Sequence, residues 1–191
     1  MSCSQVQAAD VNTIKATIVK HAIEMGVDPA IALSIARAES GFRHEARSSH
    51  GAVGVFQLMP STAKRMGLNA YSLNDNIRGG IMYYKSMYKM FGSVELALAA
   101  YNAGPGNVKR YNNNIPPYAE TKRFVAKIMT DYKRLKANPD PVMQNAVKPV
   151  ITTAPKATPA PVVSRIEDKL QVEVIDENPI ELELNPETFS I

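Results

Sequence analysis

At 191 residues, with 45% hydrophobic and 21% charged side chains, the chain has the length of one compact domain with appendages and the composition of an ordinary soluble globular protein. No apolar run reaches the roughly 18 residues of a membrane-spanning helix, and a single cysteine, Cys3, excludes an internal disulfide. The net charge of +4 hides an asymmetry: residues 164–191 carry eight acids against Arg165 and Lys169, a net of −6, which leaves +10 on the rest. A basic body suits an anionic polymer, whether bacterial wall or nucleic acid, and it suits solubility alone equally well.

Residues 1–9 are polar and lack the basic group and apolar core of a secretory leader, so they read as a flexible N-terminus on a protein made in the cytoplasm without a signal peptide. Residues 10–137 follow as one body of helical patterns with short breakers. Ile14, Ile18 and Ala22 share one stripe, and Gly26 is placed to end that helix. Asp28-Pro29 reads as an N-cap with proline at the first helical position. Gly51, Gly54, Gly79, Gly80, Gly104 and Gly106 read as punctuation, with room for a small hairpin near residues 50–58. Ser93 starts a further helix, Val94 to Ala103, with Glu95 in its first turn. A long last helix is expected from Pro117 to Ala137, burying Phe124, Ile128, Tyr132 and Leu135. The expected fold class is therefore all-α, α+β at most by that hairpin.

Two segments follow the body. Residues 138–163 are rich in Pro, Ala and Thr, from Asn138-Pro139-Asp140-Pro141 to Pro161, and read as an extended linker. The acidic tail, 164–191, contains the alternating Leu170, Val172, Val174 and the later Ile180, Leu182, Leu184. That pattern fits an edge strand or a docking peptide and is too short for a domain.

Glu39 is the anomaly of the second helix. Ile31, Ile35 and Glu39 fall at i, i+4 and i+8, so a carboxylate continues an apolar stripe. It also stands at the helix end, where the dipole disfavours negative charge. Both effects raise a carboxyl pKa, as a general acid near neutral pH requires. The bland alternative is a Glu39 that bends into solvent or pairs with Arg43.

The text around Glu39 decides between them. Ala36-Arg37-Ala38-Glu39-Ser40-Gly41-Phe42 resembles the catalytic helix end of the family 1 soluble lytic transglycosylases. Ser48-Ser49-His50-Gly51-Ala52-Val53-Gly54-Val55-Phe56-Gln57-Leu58-Met59-Pro60 resembles that family's second motif. Ala99-Ala100-Tyr101-Asn102-Ala103-Gly104-Pro105-Gly106 resembles the third, and Ile115-Pro116-Pro117-Tyr118-Ala119-Glu120-Thr121 the fourth. The resemblance covers about residues 14–135. Two departures, Val55-Phe56 for the usual Leu-Met and Phe124 for a common Tyr, bear on groove shape and glycan preference.

This resemblance implies a goose-lysozyme-like helical domain and cleavage of the β-1,4 bond between N-acetylmuramic acid and N-acetylglucosamine, with a 1,6-anhydro product. It implies Glu39 as the single catalytic acid/base. It also implies Ser48 near the substrate acetamide, Gln57 and Met59 in the groove, and a Tyr101 hydroxyl reaching towards the carboxylate. Asn102 would support the following turn, and Glu120 would lie near the groove. Ser48 as ordinary loop composition, Met59 and Tyr101 as core, and Glu120 as plain surface stay open beside these roles.

Other chemistries find little support. His21, His44 and His50 lack zinc-site spacing, there is no Cys pair or Gly-rich phosphate loop, and neither metal nor cofactor is expected. A lysozyme-type hydrolase would need a second carboxylate to position water, with Asp75 or Glu95 as candidates. A non-catalytic wall-binding or virion protein would not need Glu39. The expected partner is the glycan strand of peptidoglycan, with no nucleic acid required. The favoured setting is delivery to the periplasm as a component of a phage particle, with residues 164–191 docking on a virion or secretion-complex protein.

Overall fold

A computed structural model describes residues 10–147, which form eight helices and no strand. Helix α1 (Val11–Glu24) opens on Asp10, whose carboxylate accepts the Asn12 N–H, and turns Ile14, Ile18, Val19 and Ala22 inward. Asp28 caps α2 (Pro29–Glu39) by accepting the Ala30 N–H at 2.9 Å, with Pro29 at the first helical position as its sequence indicates. Seven consecutive residues, Ala30 to Ala36, are buried, so α2 is the central element of the core, walled by α1 and α7. Short α3 (Pro60–Arg65) lies against α4 (Leu73–Phe91), which ends at Gly92 in the left-handed region, φ 67°. Ser93 then caps α5 (Val94–Ala103), with Glu95 in the first turn. The α5 helix packs on α4, on α6 (Pro105–Arg110) and on α7 (Ala119–Ala137).

Helix α7 begins two residues later than the pattern suggests. Its buried positions are Thr121, Val125, Ile128 and Leu135, with Phe124 and Tyr132 half-buried at the edge of the same core. The Lys136 ammonium and the Tyr132 hydroxyl both donate to Asp28 Oδ2, at 2.8 and 3.1 Å, and tie the end of α7 to the start of α2. Burial pushes the Asp28 carboxyl up, and the bonds from Lys136, the Ala30 N–H and Tyr132 together outweigh it and hold the carboxyl below its ordinary pKa.

Three expectations are corrected here. The small hairpin near 50–58 does not form. Residues 40–59 are an irregular loop with isolated bridges pairing Arg47 with Val53 and Val53 with Leu58. Gly79 and Gly80 do not break the chain: they are buried inside α4, where a Cβ would stand 2.6 Å from Leu58 Cδ2 and 2.2 Å from Phe56 Cγ. They are small so that the loop can lie on the helix.

The expected linker is helical at its start. Pro141–Val147 form α8, because Asp140-Pro141 repeats the cap-and-proline signal of Asp28-Pro29. Asp140 accepts the Val142 N–H and pairs with Lys15 of α1 at 2.9 Å, both side chains largely shielded. Val142 and Met143 extend the core there. Residues 1–9, the linker from 148 on, and the acidic tail with its Leu170–Leu184 alternation lie outside the described residues. Among the described residues no helix is long and apolar enough to cross a membrane.

Candidate active site

Glu39 is the last residue of α2, half-buried where the helix gives way to the 40–59 loop. Burial raises its carboxyl from an ordinary 4.5 to about 8. Lys127, a cation on α7, works against that rise, and the negative charge of Glu120 adds to it. The Arg43 pairing does not occur: its Nε donates to the Ser40 carbonyl at 2.8 Å. Arg37, two residues before Glu39, is turned to Asp131 of α7 at 3.2 Å. Among the described residues Glu39 is thus left without an ion-pair partner, and with its carboxyl raised to about 8 it holds its proton near neutral pH.

The loop beside Glu39 is fastened from α4, from α5 and from its own first residue. Buried Asn76 of α4 donates to the Val53 and Ala70 carbonyls, at 2.8 and 2.9 Å, and accepts the Phe56 N–H at 2.9 Å. Ser40, directly after Glu39, donates to the Val55 carbonyl at 2.8 Å. Tyr101 of α5 donates to the Phe56 carbonyl at 2.9 Å. Gly54, at φ 76°, leaves the space Asn76 occupies, since a Cβ there would sit 2.5 Å from Asn76 Nδ2. Under this fastening Gln57 takes φ 45°, a left-handed conformation that costs about 1–3 kcal/mol in a non-glycine residue and persists only where surroundings enforce it.

A cleft of about 340 Å³ opens between this loop, α3, α4, α5 and α6. Gln57, Met59, Tyr101 and Asn102, all candidates from sequence, line it. Glu39 is not in its wall; Tyr101 is, and burial above all, with the charge of an ionised Glu39 second, raises the pKa of its phenol. The remaining polar wall, among the described residues, is Ser61, Thr62, Arg65, Tyr83, Asn107 and Arg110, with no carboxylate. Amides, hydroxyls and a tyrosine flank suit a hydroxyl-rich ligand, and two guanidinium groups suit one that also bears negative charge.

The candidates from sequence differ in what they do locally. Met59 is half-buried in the cleft wall, whereas Leu58 next to it is the core residue. The Gln57 amide nitrogen donates to the Gly54 and Ala46 carbonyls, at 2.9 and 3.3 Å, which leaves its oxygen as the acceptor it can offer. Tyr101 bonds the loop backbone and not Glu39 itself. The Asn102 oxygen accepts from the Thr121 hydroxyl of α7 at 2.7 Å, and the turn after it is closed by Gly104 N–H to the Ala100 carbonyl. Ser48 accepts the Ala52 N–H at 3.0 Å and closes its own loop, away from the cleft wall. Glu120 is exposed in the first turn of α7, near enough for its charge to act on Glu39.

The two departures from the family pattern also find places. Val55 and Phe56 are fully buried and do not line the cleft; Phe56 packs on Gly80 of α4. Phe124 stacks on Tyr101 with ring centroids 6.4 Å apart. Asp75 and Glu95, the candidate second carboxylates, serve helix N-termini: Asp75 accepts the Asn69 N–H at the start of α4, and Glu95 accepts the Ser93 hydroxyl at the start of α5. Sequence reasoning missed Asn76, Arg65, Tyr83, Asn107 and Arg110. Asn76 alone carried a signal, as a polar residue on the buried face of an amphipathic helix.

A family model described as the transglycosylase SLT domain matches residues 16–124. The chain is 33% identical over 131 residues to the transglycosylase of Enterobacteria phage PRD1, covering 68% of this chain and 47% of that one. It is 31% identical over 127 residues to the soluble lytic murein transglycosylase of Escherichia coli, covering 54% of this chain and 20% of that one. Among solved structures, an inactive mutant of the lytic transglycosylase Slt from Pseudomonas aeruginosa superposes with a TM-score of 0.58 at 31% identity, over 67% of this chain and 25% of that one. The chain thus spans about half the length of the phage relative and about a fifth of the Escherichia coli one.

Proposed function

Since the chain belongs to the transglycosylase SLT domain family, we propose that it is a peptidoglycan lytic transglycosylase in which Glu39 performs both proton transfers. The observation that carries this reading is the half-buried, unpaired Glu39 at the end of α2, whose carboxyl is raised to about 8 beside a polar, cationic cleft. A carboxyl with that pKa holds its proton at neutral pH and can deliver it to the glycosidic oxygen as the C–O bond breaks. The substrate's own 2-acetamido oxygen closes on the anomeric carbon, as in glycosidases without a protein nucleophile. Glu39, now a carboxylate, takes the proton of the C6 hydroxyl. The C6 oxygen displaces the acetamide, closes a 1,6-anhydro ring and returns Glu39 to its protonated state. No water is consumed.

The surroundings favour this sequence over hydrolysis. A lysozyme-type hydrolase needs a second carboxylate holding water, and Asp75 and Glu95 are both engaged at helix N-termini. Glu120 is the carboxylate whose charge reaches Glu39, and it is exposed on α7. Gln57, Met59 and Asn102 are assigned to sugar contact, Tyr101 to holding the loop beside the acid, and Ser48 to the acetamide side.

The test is mass spectrometry of purified peptidoglycan digested with the wild type and with Glu39→Gln. Anhydro-muropeptides from the wild type alone are expected. Reducing-end products would make the protein a hydrolase, and no products from the wild type would favour a binding role. The setting we favour is local wall degradation by a phage particle, with residues 164–191 docking to a virion partner. Deleting Ala154–Ile191 should then leave glycan cleavage intact and abolish incorporation into the particle; loss of cleavage would refute that modular arrangement.

A further inference from the structure

The carbonyl of Ala38, one residue before Glu39, is among the last four of α2 and has no partner within its own helix. Lys127 comes from 89 residues further along the chain to donate to it, Nζ to oxygen 3.3 Å. A second tie between the same helices, Arg37 to Asp131, lies one turn of α7 beyond Lys127 and fixes the register that brings the ammonium there. Helix C-termini favour cations, but an ordinary capping lysine comes from the same helix. This one comes from α7 and caps the carbonyl adjoining a carboxyl that has no ion-pair partner among the described residues.

We propose that Lys127 is a positioning residue for Glu39: docked on the Ala38 carbonyl, its ammonium holds the end of α2 and supplies the counter-charge Glu39 requires once it has given up its proton. This rests on the assignment of Glu39 as the acid. The other charged and titratable groups around Glu39 do not substitute for it. Glu120, also on α7, acts in the opposite sense, and Tyr101 of α5 is a buried neutral phenol with Tyr83 of α4 packed against its ring. Arg37 on α2 is committed to Asp131, and Arg43 in the loop to the Ser40 carbonyl. Lys127 is therefore the cation whose charge lowers the Glu39 pKa against burial. Without it the acid is weaker in the first step, and its carboxylate form is less stable between the two.

Lys127→Met and Lys127→Gln remove the charge, and Lys127→Arg keeps it; the side chain is exposed, so folding does not depend on it. The Glu39 carboxyl carbon is titrated by NMR in uniformly glutamate-labelled protein without substrate, its signal assigned by its loss in Glu39→Gln. The wild type should titrate near 8, Met and Gln variants higher, and Arg with the wild type. The alkaline limb of kcat/KM on peptidoglycan should move the same way, with kcat at neutral pH down roughly three- to tenfold in the neutral variants. An unmoved carboxyl titration in Met and Gln, or an Arg variant displaced as far as they are, would overturn the proposal. A wild type that releases no anhydro-muropeptides while the titrations move as expected would sink the enzymatic reading and leave the charge relation standing.

Discussion

Replacing Glu39 with glutamine should stabilise the protein, and by an amount that depends on pH. The folded carboxyl titrates near 8 and the unfolded one near 4.5. Between these values the folded state keeps a proton that the unfolded state has lost, so wild-type stability falls as pH rises through that window. At 1.36 kcal/mol per unit the full difference is about 5 kcal/mol. Water reaches the half-buried carboxyl, so the effective penalty is discounted to roughly 2–3 kcal/mol. Glutamine has nothing to titrate, and groups that do not feel the Glu39 charge cancel between the two proteins. Urea denaturation at pH 5, 6, 7, 8 and 9 should show the variants within about 1 kcal/mol of each other at pH 5. The glutamine variant should be ahead by about 2–3 kcal/mol at pH 9, or some 6–10 °C in Tm. A difference that stays constant from pH 5 to 9 would refute the burial argument, and with it the basis for calling Glu39 a general acid.

The remaining predictions concern the loop and the cleft. Gly80→Ala gains about 1 kcal/mol of helix propensity, yet its Cβ overlaps Phe56. A net loss of about 1–3 kcal/mol, with a fall in glycan cleavage, is therefore expected in thermal melts and digestion assays; a more stable, fully active variant would contradict the packing account. Asn76→Ala leaves the Val53 and Ala70 carbonyls and the Phe56 N–H without partners. It should cost about 3 kcal/mol or more, read by denaturation, with the loop amides near Phe56 losing hydrogen-exchange protection first. Arg65→Gln with Arg110→Gln should weaken pelleting with purified peptidoglycan and flatten its salt dependence, leaving the fold unchanged by circular dichroism. Unaltered salt dependence would remove the cleft guanidiniums from substrate binding.

Local rules already define α2, α5 and the position of Glu39. Asp28-Pro29 and Ser93 act on amides two and three residues away, and the Ile31–Ile35–Glu39 stripe is a property of one helix. The same rule held for Asp140-Pro141 and was outweighed by the prolines around it; what decides α8 is Lys15, 125 residues earlier, which pairs with the capping Asp140. The glycines show why composition is ambiguous. A glycine signals either a turn or a close approach, and Gly79 and Gly80 are the second only because Phe56 and Leu58 arrive from another segment. The cleft itself was not legible. Its shape depends on Asn76 of α4, Tyr101 of α5 and Ser40 at the end of α2 binding carbonyls of one loop, and its arginines come from two short helices brought together by α4 and α5. The sequence alone placed a carboxyl on an apolar stripe at a helix end. Only the tertiary structure shielded it from much of the water, drew Arg37 to Asp131 and brought Lys127 to the carbonyl before it, because desolvation and charge depend on what is near in space, at sequence separations no local pattern spans.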